Sequence, residues 1–318
     1  MARFVPIIHG AALERADEAD TLIAAEAIAG SLARLGHESD VFHVGRNFAA
    51  LVWLAESYPD AVVFNLVEAL NGDASVAHLA PALMDRLGLA YTGANASAYT
   101  RTLSKLAVKR LLRAESLPTP DWWQSGADVP QGRRVIVKSV HEHGSLGMDA
   151  GSIVTGKAAE AEIARRQRQF GGTFFAEAFI EGREFNVALL DDGKGARVLP
   201  IPEIDFSGLP AMRPAIVDFG AKWDEADPAY HRMDRRFGLE TREPALAAGL
   251  ASLAMRAWDL FGLRGYARVD FRVDAEGQPF LLEINVNPAL TPDAGFPAAA
   301  AVAGLSYDDM VDRILNAA

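Results

Sequence analysis

Apolar positions recur along the chain with one of two periods, and the two periods divide it into strands and helices. Arg3–Ile8 reads as a short apolar strand running into His9-Gly10. From Asp20 to Leu35 the residues Leu22, Ala25, Ile28, Leu32 and Leu35 keep helical spacing, with Gly36 as the stop. Val41–Val44 and Ala61–Leu66 are predicted strands, and Ser75–Leu87 a predicted helix that Pro81 kinks or restarts. Strands alternating with helices predict a parallel sheet covered on both faces. Ligands meet such a sheet at the carboxyl ends of its strands, which brings His9, Gly10, Glu14 and the Asn65–Glu68 loop near one. For His9 and Glu14 an ordinary solvated loop stays open as the alternative.

Further along, Thr102–Arg113 is a predicted helix with Leu103, Leu106, Leu111 and Leu112 inward and Lys105 and Lys109 on a solvated face. Arg134–Val140 is a strand with Lys138 mid-run among valines and an isoleucine, where an unpartnered ammonium is costly. The loop from His141 to Gly147 follows, and glycine-bearing loops can turn backbone N–H groups toward phosphate. Its His-x-His lacks a third ligand at a telling spacing, so zinc is not expected. Gly151–Lys157 fits half of a P-loop, but Ala158 stands where Ser or Thr should bind magnesium and its middle reads as a strand. No Gly-x-Gly-x-x-Gly turn supports a dinucleotide site. Ala159–Phe170 reads as a mostly solvated helix, and Thr173–Ile180 and Phe185–Leu190 as strands. The group Glu177, Phe179, Ile180 and Glu184 combines apolar lining with two acceptors, which suits a purine and a ribose hydroxyl. Asp205–Asp227 is a Gly/Pro-punctuated loop holding Lys222 and Trp223. Glu243–Phe261 is a long helix with Pro244 in its first turn and Gly262 at its end. Ser306 with Asp309 opens the last helix as a capping-box-like pair.

The most informative stretch is Tyr266–Val286. Tyr266–Val273 and Phe280–Val286 alternate apolar and polar residues around a turn-forming Asp274–Pro279, which predicts an antiparallel hairpin. Arg268, Asp270 and Arg272 share one face; Leu281, Glu283 and Asn285 share one on the other strand, opposite Leu282, Ile284 and Val286. A symmetric turn with Asp274 opposite Pro279 sets Asp270 across from Glu283 and Arg268 across from Asn285. Opposed carboxylates destabilise a sheet unless something neutralises them. Two carboxylates and an amide oxygen suit Mg²⁺; a charge ladder of Arg268 and Arg272 with the acids is the alternative.

Composition narrows the classes. The chain has 318 residues, a net charge of −11 and no cysteine. That length predicts two or three subdomains. The acidic balance argues against a nucleic-acid surface, and no dense Lys/Arg block marks a membrane patch. Without cysteine there is no disulfide, thiol nucleophile or Cys-based zinc site. No signal-peptide pattern and no apolar run near about 18 residues is present, so the expectation is a soluble, cytoplasmic protein.

Taken together, the two hairpin strands, the segment from Thr291 to the terminus, Glu177–Leu190, Val135–Val140 before its Gly/Ser loop, and Phe64–Asp73 resemble the ATP-grasp superfamily. Within it they are similar to the D-alanine–D-alanine ligase family. The resemblance implies an α/β (α+β) ATP-grasp fold of three subdomains: residues 1–95 for the first substrate, a central lid at 96–180, and 181–318 with the metal and acceptor sites. It implies ATP and two magnesium ions as cofactors and small-molecule amino acid or carboxylate substrates, and it allows a homodimer. Residue by residue, Lys105 and Lys138 would bind ATP; Glu177, Phe179, Ile180 and Leu282 would line the adenine pocket; Glu184 would hold the ribose. Lys222 would reach the terminal phosphate, Asp270, Glu283 and Asn285 would hold two Mg²⁺, Glu14 would contact the first substrate's amine, and Arg268 would face the reacting carboxyl. Ser145 is the surviving serine of the Gly-bearing loop and is carried over as catalytic. Four positions depart from the family pattern: Ala289 replaces a glycine of the oxyanion site, Ala294 a serine that grips the second substrate, Gly144 a loop serine, and Trp223 a tyrosine. The implied activity is therefore an ATP-dependent carboxylate–amine ligase with an altered second-substrate site. A cyclising ligase, a phosphotransferase that stops at acyl phosphate and a non-catalytic ATP-binding protein are the alternatives.

Overall fold

The structure is a computed structural model that describes residues 2–10, 16–142, 144–210, 213–224, 226–230 and 232–318, without the side chains of 16–18. Three sheets follow one another along the chain. The first is parallel, in the order Val41–His43, Ile7–His9, Val62–Asn65, Ala90–Tyr91. The second is antiparallel, in the order Trp122–Trp123, Phe174–Ala178, Arg134–Ser139, Ile153–Thr155. The third runs Asp234–Arg236, Glu203–Asp205, Arg183–Asp191, Tyr266–Val273, Pro279–Asn285, all antiparallel, with Ala196–Val198 also paired to Arg183–Asp191.

The third sheet is buried on both faces. On one, the helix Pro244–Phe261 lays down Leu250, Ala254, Ala257 and Phe261, spaced at three to four residues, against Val187, Leu189, Val269 and Phe271. On the other, Ala188, Leu190 and Tyr266 join a core with the first sheet and the helices Ala16–Arg34, Gly295–Val302 and Tyr307–Asn316. The second sheet differs. It packs on its own helix Ala158–Phe170 through Val135, Val137 and Ile163, and meets its neighbours through a small junction of Leu106, Val140 and Phe175.

Local chemistry explains the helix ends, including some that differ from expectation. The expected Ser75–Leu87 helix is a 3₁₀ turn at Ala74–Val76 followed by the helix Leu79–Leu87, which restarts with Pro81 in its first turn, where the missing N–H is not needed. The expected Thr102–Arg113 helix is two helices, Ala96–Thr102 and Lys105–Ala114, divided where Ser104 caps the second. Ser306 and Asp309 do form a capping box. Lys105 and Lys109 are buried rather than solvated: with Val108 and Leu112 they form the inward stripe of their helix. The helix Ala158–Phe170 is mostly solvated, but its Arg166 is completely buried.

The hairpin pairs Asp270 with Glu283 and Arg268 with Asn285 as expected, but it closes on Val273 opposite Pro279. A bulge at Leu282 absorbs the one-residue difference, since Phe271 pairs with Leu281. Strict alternation therefore fails there. Leu281 turns into the core, while Leu282 and Glu283 both face the cleft. The backbone groups freed by the bulge are satisfied from outside the sheet: Leu281 N–H donates to the Pro118 carbonyl at 2.8 Å, and the Leu281 carbonyl accepts from the Thr119 hydroxyl at 2.9 Å.

Candidate active site

A cavity of about 790 Å³ opens between the second and third sheets. Ile136, Phe179, Ile180 and Leu282 give it an apolar end; Lys105, Lys138 and Lys222 follow, then Asp270, Glu283 and Arg268. Asp20, Arg235, Thr291, Asp293 and Ala294 line its outer part. A recess of about 100 Å³, with Glu68, Asn285 and Asn287 in its wall, shares Asp20, Lys222, Trp223, Arg268 and Ala289 with the cavity.

At the apolar end Glu177 is buried to 1% exposure between two ammonium groups. Lys138 donates to one carboxylate oxygen at 2.7 Å, and Lys109 forms an ion pair with the other at 2.5 Å, outside hydrogen-bond alignment. Burial opposes charge on all three, and mutual attraction answers it. Burial would raise the Glu177 carboxyl, but Lys109 and Lys138 hold it below the usual range. Burial likewise opposes the charge on Lys138, yet Glu177 carries its pKa above the ordinary value. Lys109 shows the reverse balance: burial brings it down to about 8, with Glu177 limiting the fall. Lys109 also donates to the Thr119 hydroxyl at 2.9 Å, and so reaches the hairpin bulge through one residue. Sequence reading missed this lysine, although its spacing from Lys105, Val108 and Leu112 was the signal.

The hairpin charges are matched within the protein. Arg268 grips Asp270 with two parallel bonds of 2.8 and 2.9 Å, and Asn186, opposite Asp270 on the next strand, donates at 2.8 Å. Asn186 was not anticipated, yet it sits two residues beyond Glu184 on the same face. Glu283 pairs with Lys105 at 3.0 Å. Arg272 pairs with Glu184 at 3.1 Å, so the charge-ladder alternative accounts for part of the arrangement. Burial raises the Glu184 carboxyl, with Asp270 adding to it against Arg272. Asp270, Glu283 and the Asn285 amide still supply hard oxygen donors on adjacent strands, a set that fits Mg²⁺. Among the described residues no group of three or more His, Cys, Asp or Glu could hold a metal ion, so this set depends on the amide; His143 of the His-x-His lies outside the described residues.

Two loops close over the cavity. Trp223 Nε1 donates to the Gly144 carbonyl at 3.0 Å, Ser145 Oγ to the Val217 carbonyl at 3.0 Å, and Phe219 N–H to the Met148 carbonyl at 3.1 Å. Ser145 takes a left-handed φ of 64°, unusual for a serine, and its hydroxyl is committed to this closure. Gly147 beside it (φ 67°) has no room for a side chain, because a Cβ would stand 2.9 Å from the Phe170 ring. The buried Arg166 anchors the loop through the Gly147 carbonyl and Asp149. Arg213 ties the other loop together through Asp218 and Asp227. Trp223 thus makes a latch of its own, where the tyrosine–serine set is absent. Lys222 lines both cavity and recess, its pKa lowered by burial and by Arg268.

Of the other expected residues, Phe179 lines the cavity with Arg134 and Arg272 guanidiniums 5.1 and 5.7 Å from its ring. Asn285 lies in the recess, Ala289 in both walls and Ala294 in the outer wall. Glu14 lies outside the described residues. His9 lines neither space; its ring packs against His43.

A lysine-lined cleft between an antiparallel lid sheet and a larger sheet carrying opposed carboxylates defines an ATP-grasp enzyme. The family described as "D-ala D-ala ligase C-terminus" matches residues 111–316. The chain is 33% identical to the D-alanine–D-alanine ligase of Chromohalobacter salexigens, over 98% of this chain and 93% of that one. It is 31% identical to that of Moorella thermoacetica, over 94% of each. The ATP-complexed D-alanine–D-alanine ligase of Bacillus anthracis has a similar fold, with a TM-score of 0.73 at 20% identity, covering 100% of this chain and 96% of that one. The chain belongs to the D-alanine–D-alanine ligase family.

Proposed function

We propose that the protein is an ATP-dependent ligase that activates a carboxylate as an acyl phosphate and joins it to an amine, with a second-substrate site altered from that of its relatives. The observation that carries this reading is the single cleft, in which an apolar nucleotide-sized end, three lysines, opposed carboxylates and Arg268 occur together. Residues 1–95, 96–180 and 181–318 are its subdomains, and the cytoplasm, where ATP is available, is its compartment.

In the first step an oxygen of the donor carboxylate attacks the γ-phosphorus of ATP, the bond to the bridging oxygen breaks and ADP leaves. In the second, the amine nitrogen attacks the acyl carbon, the bond to phosphate oxygen breaks, and phosphate and a proton are released. Phosphoryl transfer depends mainly on positioning and charge neutralisation. Ile136, Phe179, Ile180 and Leu282 would hold the adenine, with Glu177 as acceptor and Glu184 at the ribose. Lys105, Lys138 and Lys222 would hold the phosphates. Asp270, Glu283 and Asn285 would hold two magnesium ions, which supply further neutralisation when bound. Arg268, oriented by Asp270 and Asn186, would stabilise the oxyanion of the tetrahedral intermediate. The latch formed by Trp223 and Ser145 would exclude water from the acyl phosphate.

The test is phosphate release from MgATP over a panel of D- and L-amino acids, with and without hydroxylamine. Hydroxamate together with a condensed product supports the ligase. Hydroxamate without condensation, or no turnover with any acid, contradicts it.

A further inference from the structure

Arg272 holds a place in the cleft that the proposed chemistry does not use. It is buried on the strand Tyr266–Val273, directly opposite Glu184 on Arg183–Asp191, and it lines the cavity. Each nitrogen of its guanidinium goes to a different segment. Nε donates to a Glu184 carboxylate oxygen at 3.1 Å and Nη1 to the Gly182 carbonyl at 3.0 Å, while Nη2 donates to the Ala215 carbonyl. The guanidinium also lies 5.7 Å from the Phe179 ring and 5.3 Å from that of Phe206.

The three segments have separate duties. Gly182 stands in the connection between Phe174–Ala178 of the second sheet and Arg183–Asp191 of the third. Its φ is 142° and a Cβ there would run into the Val273 carbonyl, so this connection is packed tightly against the third sheet. Glu184 is the acid placed at the ribose. Ala215 and Phe206 belong to the loop that carries Lys222. From Ala215 that loop runs to Val217, whose carbonyl accepts the Ser145 hydroxyl, and to Asp218, which caps the helix Phe219–Trp223 through the Ala221 N–H at 2.9 Å. An arginine that served only to neutralise Glu184 would take it with the two-bond fork that Arg268 uses on Asp270. Arg272 instead gives Glu184 one bond and directs its other nitrogens to two carbonyls of different segments. These contacts define a link as well as a charge.

We propose that Arg272 is a positioning residue that couples the ribose of the bound nucleotide to the loop carrying Lys222. This rests on the ligase reading and deepens it. On that reading a ribose hydroxyl donates to Glu184 and stiffens the carboxylate that Arg272 grips. Arg272 in turn holds Ala215, and through Val217 and Asp218 it sets where Lys222 stands against the terminal phosphate. Such coupling is reciprocal, so the ribose contact is stronger when the loop is in place. Part of the binding energy of a non-reacting group of ATP is then expressed in phosphoryl transfer rather than in affinity. Removing that ribose hydroxyl must therefore lower kcat and not only raise KM.

The test is hydroxamate formation by the whole protein from ATP, 2′-deoxy-ATP and 3′-deoxy-ATP, each with magnesium, a donor amino acid and hydroxylamine. In the unmodified protein at least one deoxynucleotide should lower kcat about tenfold besides raising KM. Arg272→Met should lower kcat with ATP by roughly 30-fold, and that deoxynucleotide should then cost no further kcat, to within about twofold. Arg272→Lys keeps a charge beside Glu184 but lacks the planar fork that reaches both carbonyls. Its ATP KM should lie within about threefold of the parent value while its kcat stays at least about tenfold low. Deoxynucleotide penalties confined to KM in the unmodified protein would overturn the coupling. So would an equal loss of kcat on removing the hydroxyl in the parent and in Arg272→Met, or full recovery of kcat in Arg272→Lys, which charge alone would give. The comparison of nucleotides on the unmodified protein needs no variant, so it decides the matter even if Arg272→Met does not fold. Absence of hydroxamate with every donor in the unmodified protein would instead overturn the ligase reading, and the inference with it.

Discussion

The two ends of the cleft are built differently. At the nucleotide end the charged side chains are buried and satisfied by one another: Glu177 between Lys138 and Lys109, Asp270 between Arg268 and Asn186, Glu283 with Lys105. At the outer end Ala289 and Ala294 line the wall, Ile23 is 55% exposed, and Arg235 rests on a backbone carbonyl. A paired, desolvated network is costly to alter, because removing one partner strands the other. A wall held by backbone and small side chains can change its residues without that penalty. Under the proposed function, ATP would be held by interlocked charges, and the acceptor would be chosen by a wall whose small side chains carry no such linkage.

Substitutions at the two ends should differ accordingly, and the largest effect is expected at the hairpin. Glu283→Gln should lower kcat by about 1,000-fold or more while the circular dichroism spectrum keeps its shape, and the unfolding midpoint should fall because the buried Lys105 loses its carboxylate partner. Retained turnover would remove the metal assignment. Lys109→Met should rank next, leaving Glu177 with one cation; ATP KM should rise about tenfold or more, and the midpoint of thermal unfolding should fall. Thr119→Val separates the relay from the charge. It removes the hydroxyl that joins Lys109 to the bulge, and should raise ATP KM by roughly fivefold, the equivalent of one hydrogen bond.

Lys109 also sets a pH dependence. Its folded value of about 8 lies below its ordinary 10.5. Between these values the unfolded chain holds the proton and the folded chain has lost it, so this group makes stability rise with pH across that window. Over the same rise Glu177 loses one of its two cations. ATP KM should therefore increase as pH passes about 8, and an ATP KM series should show no such step in Lys109→Met. The smallest effect is expected at the latch: Trp223→Phe deletes only the Nε1 donor and should lower kcat about threefold to fivefold, with more ATP hydrolysis per condensation. A change in neither would separate the latch from water exclusion.

How far these features could be read in the sequence depended on how local their causes are. The hairpin, its opposed carboxylates and the capping box at Ser306 follow from alternation and short spacings, and all were legible. The bulge at Leu282 was not, because its cause lies at Pro118 and Thr119, far away in sequence. Strict alternation consequently placed Leu281 and Leu282 on the wrong faces, though the family likeness still placed Leu282 at the adenine. Lys109 was misread because lysine ordinarily favours solvent, and only its partner Glu177 on another sheet overrides that preference. The Trp223 latch and the position of Arg235 depend on loop closure and on the sheet edge, which no local pattern encodes.

The most direct test of the central claim uses a donor amino acid labelled with ¹⁸O in its carboxylate, incubated with MgATP and the acceptor it condenses with. If the cleft makes an acyl phosphate, one labelled oxygen leaves with each phosphate released, and mass spectrometry of the phosphate should show one ¹⁸O per product formed. Phosphate that carries no label would mean that water, not the carboxylate, attacks ATP, and would contradict the assignment of the cleft as a ligase site.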